Sequence, residues 1–180
     1  LRDNVDQCLS IIPFEQEWFE KRNVKTSFIG HPFIELKYPN LSLDFYKKHD
    51  LDPNDKILSI FPGSRQQEVK QHLPILIKTI EKIMLDIPNL NVILGKAPGV
   101  SIDNIPSFIK IERERPQFAL QYGNAALVAS GTATLESAVL DIPIVVFYRF
   151  SRLTWLLAKN MSNVKYACIV NLIANKMIVP

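Results

Sequence analysis

Two segments of the sequence each combine an apolar, strand-like run with small residues and then a helical pattern. The first covers residues 57–69, with the small residues at 62–64, and the second covers residues 126–136, with the small residues at 130–133. Backbone N–H groups at a helix N-terminus attract anions, and small side chains let an anion come close. Two such turns in one sheet predict a single ligand with several anionic or hydroxyl groups, such as a nucleoside diphosphate.

From residue 56 onward the sequence alternates between strand-like and helical patterns. Strands are predicted at 57–61, 92–94, 108–111, 126–129, 144–147 and 168–170, and helices at 67–87, 116–122, 132–140 and 151–161. This alternation predicts an α/β fold, a Rossmann-like parallel sheet with helices on both faces. Ligands of such sheets bind at the carboxyl ends of the strands, where both turns lie.

The first 55 residues have a different pattern. A strand is predicted at 5–12, a helix at 14–22 and a second strand at 25–29, followed by an irregular stretch at 33–55. We therefore expect residues 1–32 to end a first domain, 33–55 to connect two domains, and 56–180 to form the ligand-binding domain. The sequence starts with Leu1 rather than Met, and we expect it to be part of a longer protein.

The distribution of charged residues along the sequence is more informative about function than the net charge. The net charge of +3 is too small to predict nucleic-acid binding. After Asp141, however, the chain has five basic residues and no acidic one, and Arg149, Arg152 and Lys159 accompany Trp155. Such a basic and aromatic surface suits an anionic lipid headgroup or a phosphorylated substrate, although a core helix with a solvated basic face fits equally well.

The sequence predicts neither a metal site nor a cofactor. Cys8 and Cys168 are too few and too far apart for a disulfide framework or a metal site, and the histidines have no ligand spacing. No signal peptide is visible, and no apolar run approaches the ~20 residues that span a bilayer. We therefore expect a cytoplasmic location.

The first turn offers Arg65 as the strongest candidate for a ligand contact. Its guanidinium follows Gly63 and Ser64 at a strand end, and arginine pairs bidentately with phosphate. Ser64 is expected to cap the helix, with Glu68 completing a capping box. The alternative is a capped helix with an exposed arginine. No Gly-Lys-Ser/Thr follows, so this is not a Walker P-loop.

The second turn offers small residues and hydroxyls at a strand–helix junction. Besides Ser130 and Gly131 it contains Thr132 and Thr134, whose hydroxyls can donate to phosphate oxygens, and Glu136 lies one turn into the helix. A carboxylate there can accept from two ribose hydroxyls, although it can also simply complement the helix dipole. Because the Gly-x-Ser-x-Gly pattern is missing, Ser130 is not predicted to be a hydrolase nucleophile.

Taken in order, the segments resemble the lipid-A-disaccharide synthase family, glycosyltransferases of the two-domain GT-B type. The resemblance runs through residues 12–15, 29–32, 61–65 with Glu68, 129–136, 145–149, 153–159 and 170–174. It implies that the chain is the C-terminal, donor-binding half of a GT-B fold, preceded by the end of the N-terminal domain. His31 and Asn171 fall within these segments and are candidate substrate or membrane contacts, as are Arg149, Arg152, Trp155 and Lys159.

The resemblance also implies a reaction. UDP-2,3-diacylglucosamine would react with 2,3-diacylglucosamine 1-phosphate, releasing UDP and forming the β-1,6-linked lipid A disaccharide precursor without a metal. Arg65 would stabilise the leaving diphosphate, and Glu136 would hold the ribose. The enzyme would work at the cytoplasmic surface of the inner membrane.

Two departures from the family pattern qualify this expectation. Lys176 stands where the family has arginine and lacks the bidentate fork, and the general base is expected outside this sequence. The chain alone is therefore not expected to catalyse the reaction. Two other hypotheses remain open: another UDP-sugar GT-B enzyme, of peptidoglycan-transferase or epimerase type, or a non-catalytic nucleotide- or lipid-binding module.

Overall fold

A computed structural model describes residues 4–149 and 166–180. The predicted helix at 151–161, with Arg152, Trp155 and Lys159, lies outside the described residues. The strands are β1 (Cys8–Ser10), β2 (Thr26–Phe28), β3 (Lys56–Phe61), β4 (Leu90–Gly95), β5 (Ile109–Glu112), β6 (Ala125–Ala129) and β7 (Ile144–Phe147). The helices are α1 (Pro13–Glu20), α2 (Ser42–Lys48), α3 (Gln66–Asp86), α4 (Gln117–Gln121), α5 (Thr132–Val139) and α6 (Ile169–Ala174), with a 3-10 turn at Pro32–Ile34.

Strands β3 to β7 form one parallel sheet in the order β5-β4-β3-β6-β7. Within this sheet, the chain passes first through the central strand β3 and then through β4 and β5 on one side. It then returns to form β6 on the other side of β3. The connection that leaves β3 and the connection that leaves β6 therefore run in opposite directions along the sheet. Such a switch point opens a crevice at the carboxyl ends of the two strands. The predicted α/β sheet with helices on both faces is confirmed.

The central strands are buried on both faces because helices cover each side. Leu58 and Ile60 of β3 pack in one cluster with Leu73 of α3, whereas Ile57 packs on the other side with Phe45 of α2. A sheet covered on both faces needs nearly continuous apolar strands, and β3 and β4 have them. Complete burial of a side chain such as Ile60 contributes about 1.5–3 kcal/mol.

Helix α2 was not predicted, and the expectation of an irregular segment at 33–55 is wrong at this point. Its Phe45 is only 2% exposed, so α2 belongs to the packing of the five-stranded unit. The helix has seven residues, too few for an apolar period to show in the sequence. The division of the chain into 1–32, 33–55 and 56–180 remains a prediction.

A buried carboxylate fastens the end of α2 to the end of β5. Glu112 is 2% exposed, and its oxygens lie 3.0 Å from Lys48 Nζ and 2.9 Å from His49 Nε2. The backbone N–H groups of Glu114 and Arg115 also donate to it, at 2.9 and 3.0 Å. Burial alone raises the pKa of Glu112, but the donors, led by the Arg115 N–H, outweigh it and lower the pKa to about 2.

The N-terminal residues form a small separate sheet. Strands β1 and β2 pair in parallel, joined by α1, and both are shorter than predicted because their pairing extends over three residues each. Side chains such as Leu9, Trp18 and Phe28 are exposed on this unit.

The predicted strand at 168–170 is wrong, because Ile169–Ala174 is the helix α6. The position beside β7 that a further strand would take is reached instead by Pro180, whose carbonyl accepts the Val146 N–H at 2.9 Å. Helix α6 ends at Asn175, which adopts the left-handed conformation with φ of 49°.

No helix in residues 4–149 and 166–180 combines the length and hydrophobicity needed to cross a membrane. The same residues contain no group of His, Cys, Asp and Glu side chains arranged to hold a metal ion. Cys8 and Cys168 are free thiols.

Candidate functional site

An open cleft of about 440 Å³ lies between the loops that follow β3 and β6, at the switch point of the sheet. This volume falls in the range of small-molecule sites, roughly 300–1,000 Å³. Seven of the eight residues predicted for the donor site line it: Gly63, Ser64, Arg65, Ser130, Gly131, Thr132 and Glu136. Two loops that are 65 residues apart in the sequence are thus brought together, as the two phosphate-like turns predicted.

The first loop depends on Gly63. Its φ of +126° is unfavourable for other residues, and a Cβ there would lie 2.6 Å from Oε2 of Glu68. That carboxylate accepts the backbone N–H groups of Ser64 and Arg65, at 3.2 and 3.3 Å. Arg65 therefore occupies the N-cap position of α3, one residue later than predicted for Ser64, and Glu68 closes this helix N-terminus.

The Arg65 side chain lies at the rim of the cleft. It is 80% exposed, and its Nη1 lies 3.1 Å from Oε1 of Glu68. Such an exposed ion pair contributes roughly 0–1 kcal/mol to stability. Breaking it so that the guanidinium can bind a ligand therefore costs little free energy. Burial and the Glu68 charge raise the pKa of Tyr148, whose hydroxyl is 3.4 Å from the same Oε1.

The second loop presents a helix N-terminus that is not closed in this way. Gly131 is the N-cap of α5, no side chain caps this end, and a Cβ added to Gly131 would meet nothing within 4 Å. Thr132 and Ala133, the first residues of α5, line the cleft. Ser130 donates its hydroxyl to the Ala167 carbonyl at 2.6 Å, which fixes the loop. The positive end of α5 therefore faces an open space.

Thr134 does not face the cleft. Its side chain is fully buried, and its hydroxyl donates to the Gly131 carbonyl at 2.7 Å. Two positions along a helix rotate a side chain by about 200°, so Thr132 and Thr134 cannot point into the same cleft. The prediction that Thr134 donates to a phosphate is wrong.

Glu136 lines the cleft and already has a partner from far along the chain. Tyr38 donates its hydroxyl to Oε1 of Glu136 at 2.6 Å. Burial, together with this contact to Glu136, raises the pKa of Tyr38, so its hydroxyl keeps its proton. Tyr38 was not predicted, because it lies 98 residues away in a stretch without a local pattern.

Further residues of the cleft wall also escaped prediction. Phe61, Gly95, Pro98 and Pro116 line it, and a Cβ at Gly95 would overlap the Phe61 ring. Glycine at the end of β4 therefore allows Phe61 to lie against that strand. The sequence feature that could have indicated Gly95 is its position directly after the predicted strand 92–94.

Of the remaining candidates, His31, Arg149 and Asn171 lie within the described residues, and none of these three lines the cleft. His31 accepts the Phe33 N–H at its Nδ1, at 3.2 Å, and thereby caps the 3-10 turn. The side chain of Asn171 is 3% exposed, accepts the N–H groups of Ile178 and Val179, and donates to the Val179 carbonyl. These bonds occupy the amide in the structure, and its role as a substrate or membrane contact stays a prediction.

A buried histidine supports the first loop. His72 has no exposed surface; its Nδ1 lies 2.7 Å from the Pro62 carbonyl, and its Nε2 accepts the Arg149 N–H at 3.1 Å. Because the carbonyl requires a donor and the N–H an acceptor, these two contacts fit the tautomer with its proton on Nδ1. The Arg149 side chain itself is exposed.

A parallel sheet covered by helices on both faces, with a cleft at its switch point, defines a doubly wound α/β domain, the class whose ligands bind at that point. The family model described as Lipid-A-disaccharide synthetase matches residues 1–180, and the chain belongs to this family.

Curated relatives agree with this assignment. Lipid-A-disaccharide synthase of Coxiella burnetii (strain RSA 331 / Henzerling II) is 34% identical over 97% of the chain and 48% of its own length. The synthase of Solibacter usitatus (strain Ellin6076) is 35% identical over 100% of the chain and 49% of its own length. Lipid-A-disaccharide synthase 1 of Legionella pneumophila (strain Paris) is 34% identical with the same coverage.

The chain thus spans about half the length of the curated relatives it matches. Among solved structures, one titled "Crystal structure of GtfA/B complex" aligns with a TM-score of 0.47 and 12% identity, over 85% of this chain and 32% of the other.

Proposed function

We propose that this chain forms the donor-nucleotide half of a glycosyltransferase that uses UDP-2,3-diacylglucosamine. The acceptor is 2,3-diacylglucosamine 1-phosphate, and the products are UDP and the β-1,6-linked disaccharide precursor of lipid A. The observation that carries the proposal is the cleft at the switch point, where Arg65, the N-terminus of α5 and Glu136 line one space. Membership of the family supports this choice of substrates.

The diphosphate fits at the open N-terminus of α5. Backbone N–H groups there and the Thr132 hydroxyl can donate to phosphate oxygens, and Gly131 leaves room for them. Arg65, reaching across from the first loop, exchanges Glu68 for the diphosphate. Negative charge grows on the leaving diphosphate as the glycosidic bond to the donor sugar breaks, so these donors lower the barrier most in the transition state.

The ribose fits beside Glu136, whose carboxylate can accept from its two hydroxyls. In the reaction, the acceptor 6-hydroxyl attacks the anomeric carbon of the donor with inversion, loses its proton to a general base, and displaces UDP. The chain's described residues in the cleft bind and stabilise the leaving group. The base and the acceptor site belong, in this proposal, to a preceding domain of which residues 1–32 are the end, with 33–55 connecting it to 56–180.

Binding to the cytoplasmic face of the inner membrane is part of the same proposal. Both substrates carry acyl chains, and the basic, aromatic stretch with Arg149, Arg152, Trp155 and Lys159 suits an anionic lipid surface. Replacing the three basic residues together should weaken binding to vesicles that contain anionic lipid, as a sedimentation assay would measure. Unchanged binding would remove this part of the proposal.

The donor site can be tested by calorimetric titration of the protein with UDP, with ADP and GDP as controls. Arg65→Ala and Glu136→Ala should each weaken UDP binding roughly 10-fold or more, because hydrogen bonds to charged groups contribute about 1.5–3 kcal/mol. Arg113→Ala and Glu81→Ala remove the same side chains at exposed positions outside the cleft and should leave the affinity unchanged. Equal affinity in all four variants would refute the site.

A further inference from the structure

We propose that Tyr38 is a positioning residue of the nucleotide site, which orients the Glu136 carboxylate to accept the vicinal ribose hydroxyls. This inference rests on the proposed function and extends it to a segment outside the five-stranded unit. Tyr38 lies in the stretch between the 3-10 turn and α2, and its hydroxyl donates to Oε1 of Glu136 at 2.6 Å.

The contact leaves the carboxylate able to bind a diol. A carboxylate offers about four acceptor positions on its two oxygens, and Tyr38 takes one of them on Oε1. The other oxygen keeps its acceptor positions for the two hydroxyls of a ribose. Burial and the Glu136 charge raise the pKa of Tyr38, so the phenol remains a donor and never repels the carboxylate at neutral pH.

The segment that carries Tyr38 is itself held in place. Tyr122, just after α4, accepts the Leu41 N–H at 2.8 Å, and its hydroxyl is 3.4 Å from the Pro39 carbonyl. Gln121 also donates to that carbonyl, at 3.4 Å. On the other side of Tyr38, the 3-10 turn contacts α5, the helix that carries Glu136. Tyr38 therefore approaches Glu136 from a support that is fixed on both sides.

A fixed partner matters because Glu136 has a long, flexible side chain. Without Tyr38, ligand binding would have to order the carboxylate, and ordering one such side chain weakens binding about 3- to 10-fold. The loss should fall only on ligands whose hydroxyls use Glu136. Contacts to the base and the diphosphate should be unaffected, because Tyr38 does not line the rest of the cleft.

The test compares UDP with 2′,3′-dideoxy-UDP as ligands of the unmodified protein and of Tyr38→Phe. The variant should bind UDP about 3- to 10-fold more weakly and should bind the dideoxy ligand as the unmodified protein does. Tyr46→Phe is the matched control, since Tyr46 is a half-buried tyrosine on α2 that does not line the cleft, and it should change neither affinity. Circular dichroism confirms that each variant is folded.

The other outcomes are distinguishable. Equal weakening of both ligands in Tyr38→Phe would mean a general structural role and overturn the inference alone. Tighter UDP binding would also overturn it, because Tyr38 would then occupy the ribose position and compete. If the folded, unmodified protein bound no UDP, the proposed function and this inference would fail together.

Discussion

Replacing Glu112 by glutamine removes the charge from the carboxylate that holds the end of α2 to the end of β5 while keeping its shape. The glutamine oxygen can still accept the backbone N–H groups of Glu114 and Arg115. That oxygen also faces Lys48, but it is neutral, and the amide nitrogen takes the place of Oε2 opposite His49, so the charge-assisted bonds are lost. The variant therefore isolates the contribution of the charge.

The size of this contribution follows from the pKa. The pKa of Glu112 falls from 4.5 to about 2 in the folded protein, and each pKa unit corresponds to about 1.4 kcal/mol. The carboxylate itself is 2% exposed, whereas Lys48 is 38% exposed and partly screened. We therefore expect the variant to be about 2–3 kcal/mol less stable at neutral pH.

The pH dependence of this stability difference tests the role of the charge more specifically than its size at neutral pH. Because the folded pKa is lower than the unfolded one, the stabilisation is complete above the unfolded value of 4.5 and disappears as the pH falls towards 2. The stability difference between the unmodified protein and Glu112→Gln should therefore narrow in that window, in urea unfolding followed by circular dichroism.

The control is Glu114→Gln, since that carboxylate also lies near Lys48, at 3.3 Å, but is 79% exposed. Its effect should stay below about 0.5 kcal/mol at every pH. A difference for Glu112→Gln that did not change with pH would refute the assignment of the stabilisation to the charge.

Three other replacements test the loops and the chain end. Gly63→Ala should lower the free energy of unfolding by about 3 kcal/mol, since it strains the backbone and displaces the capping Glu68. Gly131→Ala, where a Cβ meets nothing, should cost less than about 1 kcal/mol, and equal losses in urea unfolding would contradict the loop geometry. Asn171→Ala should cost about 1–3 kcal/mol and speed hydrogen exchange of the Ile178 amide, while UDP affinity stays unchanged. A large loss of UDP affinity would instead return Asn171 to the list of substrate contacts.

The parts of the fold that the sequence predicted are those with long, consistent patterns. Strand β3 is an apolar run buried on both faces, and α3 repeats its apolar period over 21 residues. Helix α6 was mistaken for a strand because Ile169 and Val170 are β-branched, which locally favours a strand. In this helix, the Asn171 side chain accepts hydrogen bonds from the backbone of Ile178 and Val179. Such contacts leave no pattern in the local sequence.

The candidate site, like the fold, has parts that the sequence predicted and parts that it did not. Small residues directly after a strand predicted both loops, since the carboxyl ends of parallel strands meet at one edge. The hydroxyl pattern could not tell which threonine faces the cleft, because the rotation along α5 depends on where the helix begins. Tyr38 and His72 act through contacts that join distant parts of the chain, so sequence spacing gave no indication of either.

The ion pair between Arg65 and Glu68 has a consequence for how an anion is recognised. Among the described residues, the charged side chains that line the cleft are one arginine and two glutamates, Glu68 and Glu136, so their charges sum to −1. These side chains together therefore give a phosphate no net long-range attraction. In the proposed function, the cleft attracts it at short range, through the N-terminus of α5 and an arginine that must exchange Glu68 for the ligand. Such a cleft would favour a ligand that brings hydroxyl donors for Glu136 together with its diphosphate over a simple anion.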